Sequence, residues 1–207
     1  MNYLAHILLA QQSEDAMVGA LLGDFCKPND ADRYGKEIAR EIFIHRKVDA
    51  FTDSHPVILQ AKSLFRQTTR RYAGISLDVY YDHILARYWQ TYCAIPLDPF
   101  VHRFYRALLD RREMLPVSLE RQVGRMVNQD WLGSYRDFDS VKTAINRISE
   151  RLSRNGDLLK DSIEDLEINY DELCDGFHAF FPDLIRFAQH ERERFLSVGL
   201  KISNAPI

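Results

Sequence analysis

Cysteine is scarce in this 207-residue sequence, and the three present, Cys26, Cys93 and Cys174, are widely spaced with no C-x-x-C pair among them. An odd, scattered set does not make a disulfide framework and suits a reducing compartment. Long hydrophobic runs are missing too: no segment reaches the roughly 20 apolar residues that span a bilayer. The apolar start MNYLAHILLAQQ is short, is interrupted by His6, lacks a basic leader and is followed by no clean small-residue cleavage site. A cytoplasmic protein without a membrane partner is expected.

An excess of one charge is also lacking. The formal net charge of −3 argues against a surface built for nucleic acid, and no nucleic-acid partner is expected. The distribution is less even, because residues 60–125 hold 11 Lys and Arg against 6 Asp and Glu while both flanking segments are acidic. That middle third is expected to present a basic face to an acidic partner. Strand-like alternation, internal repeats, phosphate-binding glycine loops, nucleophile elbows and zinc-finger spacings are all absent.

What is present is helical periodicity almost everywhere. With 46% hydrophobic and 12% aromatic residues, the chain can bury one good core. The spacing predicts helices over 2–11, 14–26, 35–51, 56–70, 76–92, 99–112, 117–129, 138–154, 160–179 with an interruption, and 183–198. Ser13 is the expected cap of the second; Pro56 and Pro99 fall in first turns, the latter behind the cap candidate Asp98; Pro182 with Asp183 opens the last. The fold class is all-α, a single-domain multi-helix bundle over 1–198 with a flexible tail at 199–207.

Polar residues occupy positions on these helices where core packing calls for aliphatics. At about 100° per residue, Ile38, Ile42, His45, Asp49 and Thr52 share a stripe whose first half is apolar and whose second half is ionisable. Met17, Leu21 and Asp24 share another, and Asp78, Asp82, Leu85 and Trp89 a third. His6 is the sole ionisable side chain among Tyr3, Leu4, Ala5, Ile7, Leu8 and Leu9. An unpaired buried carboxylate costs several kcal/mol or turns neutral, so several of them call for a shared cause. A divalent cation held by imidazole and carboxylate groups from different helices is the economical one. Each residue also has a plainer reading: His6 as a hydrogen-bonded core histidine, Asp53 as the cap of the helix that Pro56 begins, Asp24 as a turn residue, and His45 with Asp49 as an internal pair. Arg66, Arg70 and Arg71 in FRQTTRRY suit phosphate or an acidic helix, or a solvated helix end.

Five segments taken together carry more than a generic metal site: NYLAH at 2–6, GALLGDF at 19–25, IHRKVDAFTDSHP at 44–56, DVYYDHILARYW at 78–89 and DWLGSY at 130–135. In order and over most of the chain, they resemble the acyl carrier protein phosphodiesterase family, also called acyl carrier protein hydrolyase. That family is regarded as a divergent, all-α branch of the His-Asp metal-dependent phosphohydrolases. The resemblance implies hydrolysis of the phosphodiester joining 4′-phosphopantetheine to a serine of holo-acyl carrier protein, with Mn2+ as the favoured cofactor and Mg2+ or Fe2+ as other candidates. One departure stands out: no histidine here is followed by Asp, and Asp82-His83 has the reverse order.

The resulting expectation is a cation held by Asp24, His45 and Asp82, with His6 and Asp49 as further ligands and Asp53 and Asp78 supporting them. Arg46 would neutralise charge on the phosphoryl oxygens, and His55 or His83 would protonate the leaving serine oxygen. Arg66, Arg70 and Arg71 would contact the acidic carrier protein. Two other functions are compatible with the residues: a nucleotide or cyclic-nucleotide phosphohydrolase, and a non-catalytic helical module for an acidic partner.

Overall fold

The computed structural model describes residues 3–203, with side chains described at all of these positions except 28, 29, 32 and 198–203. Among the described residues there are eleven α-helices and no strand: α1 (Tyr3–Leu9), α2 (Glu14–Leu22), α3 (Lys36–Ser54), α4 (Pro56–Ser63), α5 (Ala73–Arg87), α6 (Leu97–Asp110), α7 (Val117–Asn128), α8 (Trp131–Ser134), α9 (Phe138–Ser149), α10 (Gly156–Ile168) and α11 (Tyr170–Ser203). Short 3-10 turns punctuate them at Pro28–Arg33, Arg70–Tyr72, Trp89–Thr91 and Arg112–Met114. The fold class is therefore all-α, as expected. The tail expected at 199–207 lies largely outside the described residues, although the α11 backbone runs to Ser203.

The bundle is organised around α1, α2 and α5. Leu4 to Leu8 of α1 and Ala16 to Leu22 of α2 are all buried, as befits helices apolar on every side. α2 packs mainly on α3, α1 on α2 and α5, α11 on α3 and α4, and α9 and α10 on α5. Two glycines of the GALLGDF segment allow the closest approach. A Cβ on Gly19 would stand 2.7 Å from the Ile38 carbonyl oxygen, and one on Gly23 would stand 2.1 Å from Cγ of His45. The missing side chains let α3 lie directly against α2, with the His45 ring in the space above Gly23.

Helix ends depart from expectation where tertiary contacts intervene. Ser13 caps α2 by accepting from the Ala16 N–H at 3.0 Å, and Pro56 opens α4, both as predicted. Asp98 is not a cap: α6 begins at Leu97, so Asp98 and Pro99 both lie inside its first turn. α4 stops at Ser63, well short of residue 70, because Arg66 and Thr69 turn to bond the buried Asp165 of α10. The last two predicted helices are redistributed, with the break at Asn169 and one helix running straight through Pro182. An internal proline costs about 3 kcal/mol. Here Phe177, Phe180, Phe181 and Leu184 are fully buried on both sides of it, with the Phe177 and Phe181 rings 4.8 Å apart, and this burial holds the helix through the defect.

Candidate metal centre

The centre forms where α1, α2 and α3 meet. His45 is buried, and its Nδ1 lies 2.7 Å from the Ala20 carbonyl oxygen. A carbonyl only accepts, so Nδ1 carries the hydrogen and Nε2 points the other way. In that direction stand two carboxylates, Asp49 Oδ2 at 3.1 Å and Asp24 Oδ1 at 3.3 Å. His6 approaches from α1, with Nε2 3.1 Å from Asp49 Oδ1 and its ring stacked on that of His45.

Among the described residues, His6, His45 and Asp49 offer one ligand atom each within 4.8 Å of one another. The imidazoles form a buried floor, each side chain 2% exposed, whereas Asp24 and Asp49 form a lip exposed to 43% and 38%. A closed floor with an open lip suits a site that admits substrate better than a purely structural one.

The electrostatics fit a cation as well. Burial alone would lower the pKa of His45, but the bonds to Asp24 and Asp49 overcome it and raise it to about 9. Burial, reinforced by the neighbouring His45 charge, pushes His6 down to about 4. Burial would raise Asp49, yet bonds from His45 and His6 hold its carboxyl far below the usual range. The cluster thus keeps one positive charge, carried by the His45 proton, in the position a metal ion would take. The donor set, imidazole nitrogen with carboxylate oxygen, suits Mn2+, Fe2+ or Zn2+. A backbone carbonyl behind Nδ1 is the support that metal-binding histidines commonly have.

Four of the sequence-based candidates, His6, Asp24, His45 and Asp49, are therefore brought together. Asp82 is not. It is fully buried and directed at the start of α1, with Oδ2 accepting from the Leu4 N–H at 2.8 Å and Oδ1 from the Ala5 N–H at 3.0 Å. Burial pushes its carboxyl up to about 7 against the pull of those two donors. Asp82 anchors the helix that carries His6, a role two steps removed from the one expected. Asp78 is half-buried and its carboxyl is raised by burial, with the Asp49 and Asp53 charges acting in the same direction.

The two expected proton donors are also committed elsewhere. His83 is buried between the Tyr135 carbonyl, 2.7 Å from Nδ1, and the Tyr170 hydroxyl, 2.8 Å from Nε2. His55 is the cap of α4, accepting the Val57 N–H on Nδ1 while Nε2 faces Asp183 at 3.5 Å. Asp53, the cap candidate, is exposed and pairs with Lys62 at 2.9 Å. Arg46 donates to the Cys26 carbonyl at 2.7 Å, which ties down the loop bearing Asp24.

The three arginines expected to contact the carrier protein are exposed and also make contacts within the chain. Arg66 clamps α10 through Asp165, Glu164 and the Asp161 carbonyl, and Arg70 closes the end of α4 on the Ser63 and Phe65 carbonyls. Arg71 lies over the Tyr72 ring. Missed altogether was a cavity of about 400 Å³ between α7, α8 and α9, closed on one side by Tyr3. Its walls include Trp131 and Tyr135 of the DWLGSY segment, the one signal in the sequence that marks it.

The family model described as acyl carrier protein phosphodiesterase matches residues 1–184. The chain belongs to the acyl carrier protein phosphodiesterase family. Proteins bearing that name include one from Klebsiella pneumoniae subsp. pneumoniae, 35% identical over 93% of this chain and all of the relative. Another, from Salmonella agona, is 36% identical over 89% of this chain and 96% of the relative, and one from Enterobacter sp. strain 638 is 36% identical over 93% of this chain. No solved structure matches the chain, so the likeness to the His-Asp phosphohydrolase fold has no structural counterpart to stand on. Among the described residues of this family member, no helix is long and apolar enough to cross a membrane.

Proposed function

We propose that this chain hydrolyses the phosphodiester between 4′-phosphopantetheine and a serine of holo-acyl carrier protein, releasing apo-protein, and that it needs a divalent cation, Mn2+ first among the candidates. Membership of the family supports the substrate. The observation that supports the cation is the aim of His45 Nε2 at two half-exposed carboxylates, with Nδ1 fixed by the Ala20 carbonyl. When bound, a divalent cation supplies positive charge to the phosphoryl oxygens and acidifies water at neutral pH. His6, His45 and Asp49 would hold it, and Asp24 would reach it from the lip. The Ala20 carbonyl keeps the His45 hydrogen on Nδ1, so Nε2 stays directed at the cation. Arg46 and Gly23 act on position alone, the first by fixing the Asp24 loop and the second by leaving room for the imidazole.

The family name carried by the relatives points to a carrier protein and not to a nucleotide, and Arg66 and Arg70 make internal bonds within the basic segment 60–125 on which a purely binding module was expected to rest. The test is incubation of purified protein with holo-acyl carrier protein and Mn2+, followed by mass spectrometry. Conversion to apo-protein that stops on chelation is expected. Unchanged holo-protein with metal-replete enzyme would overturn the substrate, and conversion undiminished by a chelator would overturn the cation.

A further inference from the structure

The cavity beside the centre is built from elements the metal site does not use. Trp131, Ser134 and Tyr135 of α8 and its end form one wall, and Thr143, Ala144 and Ile148 of α9 form another. Asp130, in the left-handed conformation at φ 43°, turns the chain here and accepts the Gly133 N–H, which aims the short α8 into the cavity. A second recess of about 250 Å³ shares Gln129, Trp131, Arg147 and Arg151 with the first and adds Arg125 and Glu150.

Its rim is rich in arginine. Arg66, Arg111, Arg112 and Arg192 are all paired with carboxylates. Among the described residues, Arg125, Arg147 and Arg151 have no carboxylate within ion-pair distance, although Glu150 lies in the same recess. Arg147 and Arg151 on the part-apolar cavity, with Arg125 on the adjoining recess, form a place for an anionic, elongated ligand.

Tyr3 joins this cavity to the centre. It stands one helical turn before His6 on α1, it lines the cavity, and its ring lies 6.3 Å from that of Phe25, the neighbour of Asp24. Its phenol is pushed up to about 12 by burial, with the Asp24 charge adding to the rise and Arg151 opposing it. One side chain therefore feels both the lip of the centre and the arginine of the cavity.

Resting on the function proposed above, we infer that this cavity receives the pantetheine arm of the substrate, its phosphate lying at the end where Tyr3 and Arg151 meet the centre. The arm alternates amides with short alkyl segments. The walls mix the same two kinds of group, with Gln122, Gln129, Ser140 and Thr143 available to amides and Trp131 and Ile148 to alkyl segments. A volume of about 400 Å³ falls in the range of small-molecule sites. The arginines at the rim then serve the arm's phosphate, and the acidic face of the carrier protein remains outside.

The test compares wild type with Arg151→Ala and Ala144→Trp, the first removing charge and the second filling the cavity. Metal content by elemental analysis and the circular dichroism spectrum report whether the centre and fold persist; Arg151, being exposed, serves if the tryptophan variant does not fold. Free 4′-phosphopantetheine and apo-acyl carrier protein are used as competing inhibitors of holo-protein hydrolysis. The expected result is a rise of about tenfold or more in KM and in the inhibition constant for 4′-phosphopantetheine, with metal content retained. An inhibition constant for 4′-phosphopantetheine that does not move overturns the inference. So does a change confined to apo-protein, which would make the rim a carrier-protein contact. Should wild type fail to hydrolyse holo-protein, the proposed function falls, and calorimetry with 4′-phosphopantetheine then decides the cavity separately: binding lost in both variants upholds it, and no binding to wild type rejects it.

Discussion

His6 and His45 lie ring on ring, 3.8 Å between centroids and 18° from parallel, on two different helices. Two stacked imidazoles cannot both hold a proton cheaply, and the carboxylates of Asp24 and Asp49 decide which one does. The charge goes to His45, and His6 stays neutral beside it.

That division gives the cation-free protein a pH dependence with two arms. His45 has its pKa raised from 6.5 to about 9, so its contribution is complete below pH 6.5 and is lost as pH rises through 9. His6 is lowered from 6.5 to about 4, so its contribution is complete above pH 6.5 and is lost as pH falls through 4. Each arm is on the order of 3 kcal/mol. Asp82, raised by burial to about 7, loses its own contribution as pH rises through 7 and so opposes the His6 arm. Urea titrations of chelator-treated protein are therefore expected to show stability falling as pH rises through about 9, and His45→Ala is expected to remove that alkaline arm. An unchanged alkaline arm in that variant would refute the charge assignment.

Metal content should separate the ligands from the residues that only resemble ligands in sequence. His45→Ala and Asp49→Ala are expected to lower Mn2+ affinity by about 100-fold or more, whereas His83→Ala, which breaks bonds to Tyr135 and Tyr170, lowers thermal stability and retains the metal. Equilibrium dialysis with elemental analysis reads both; loss of metal in His83→Ala would place that histidine at the centre.

Asp82→Ala tests the anchor. It leaves the N–H groups of Leu4 and Ala5 buried without acceptors, at a cost of about 2–4 kcal/mol. A lower unfolding midpoint is expected, together with faster amide exchange at the start of α1. Unchanged stability with lost metal would restore Asp82 to the ligand set.

Gly23→Ala is a small change with a specific target. The new methyl would overlap His45 at both its ring and its Cβ, so α3 must shift away from α2 and carry the ring off its bond to the Ala20 carbonyl. Overpacking of this kind costs about 1–3 kcal/mol. A fall of about tenfold or more in metal affinity is expected by calorimetry, and full affinity would show that the ring has room to spare.

Arg66→Ala should act on folding alone. Its guanidinium satisfies the buried Asp165, so its loss lowers the thermal midpoint without raising KM for the carrier protein. Steady-state kinetics beside a thermal melt checks this, and a raised KM would return Arg66 to the substrate-binding surface.

The sequence by itself determined the helical class and the place of most helices, because each carries its own periodicity and several of its own punctuation marks, and it determined the pairing of His45 with Asp49. Those two share one helix, and four residues along a helix fix their relative direction whatever else the chain does. Tertiary structure decided everything that depends on how one helix faces another. Asp82 and His45 look alike as ionisable residues on apolar stripes, yet one meets the backbone N–H groups of α1 and the other meets carboxylates, since a side chain's partner depends on the crossing of helices and not on its own spacing. The same holds for Arg66, an exposed cation in the sequence and an interhelical clamp in the fold, and for the cavity of Tyr3, Trp131 and Arg151, whose walls come from segments far apart along the chain.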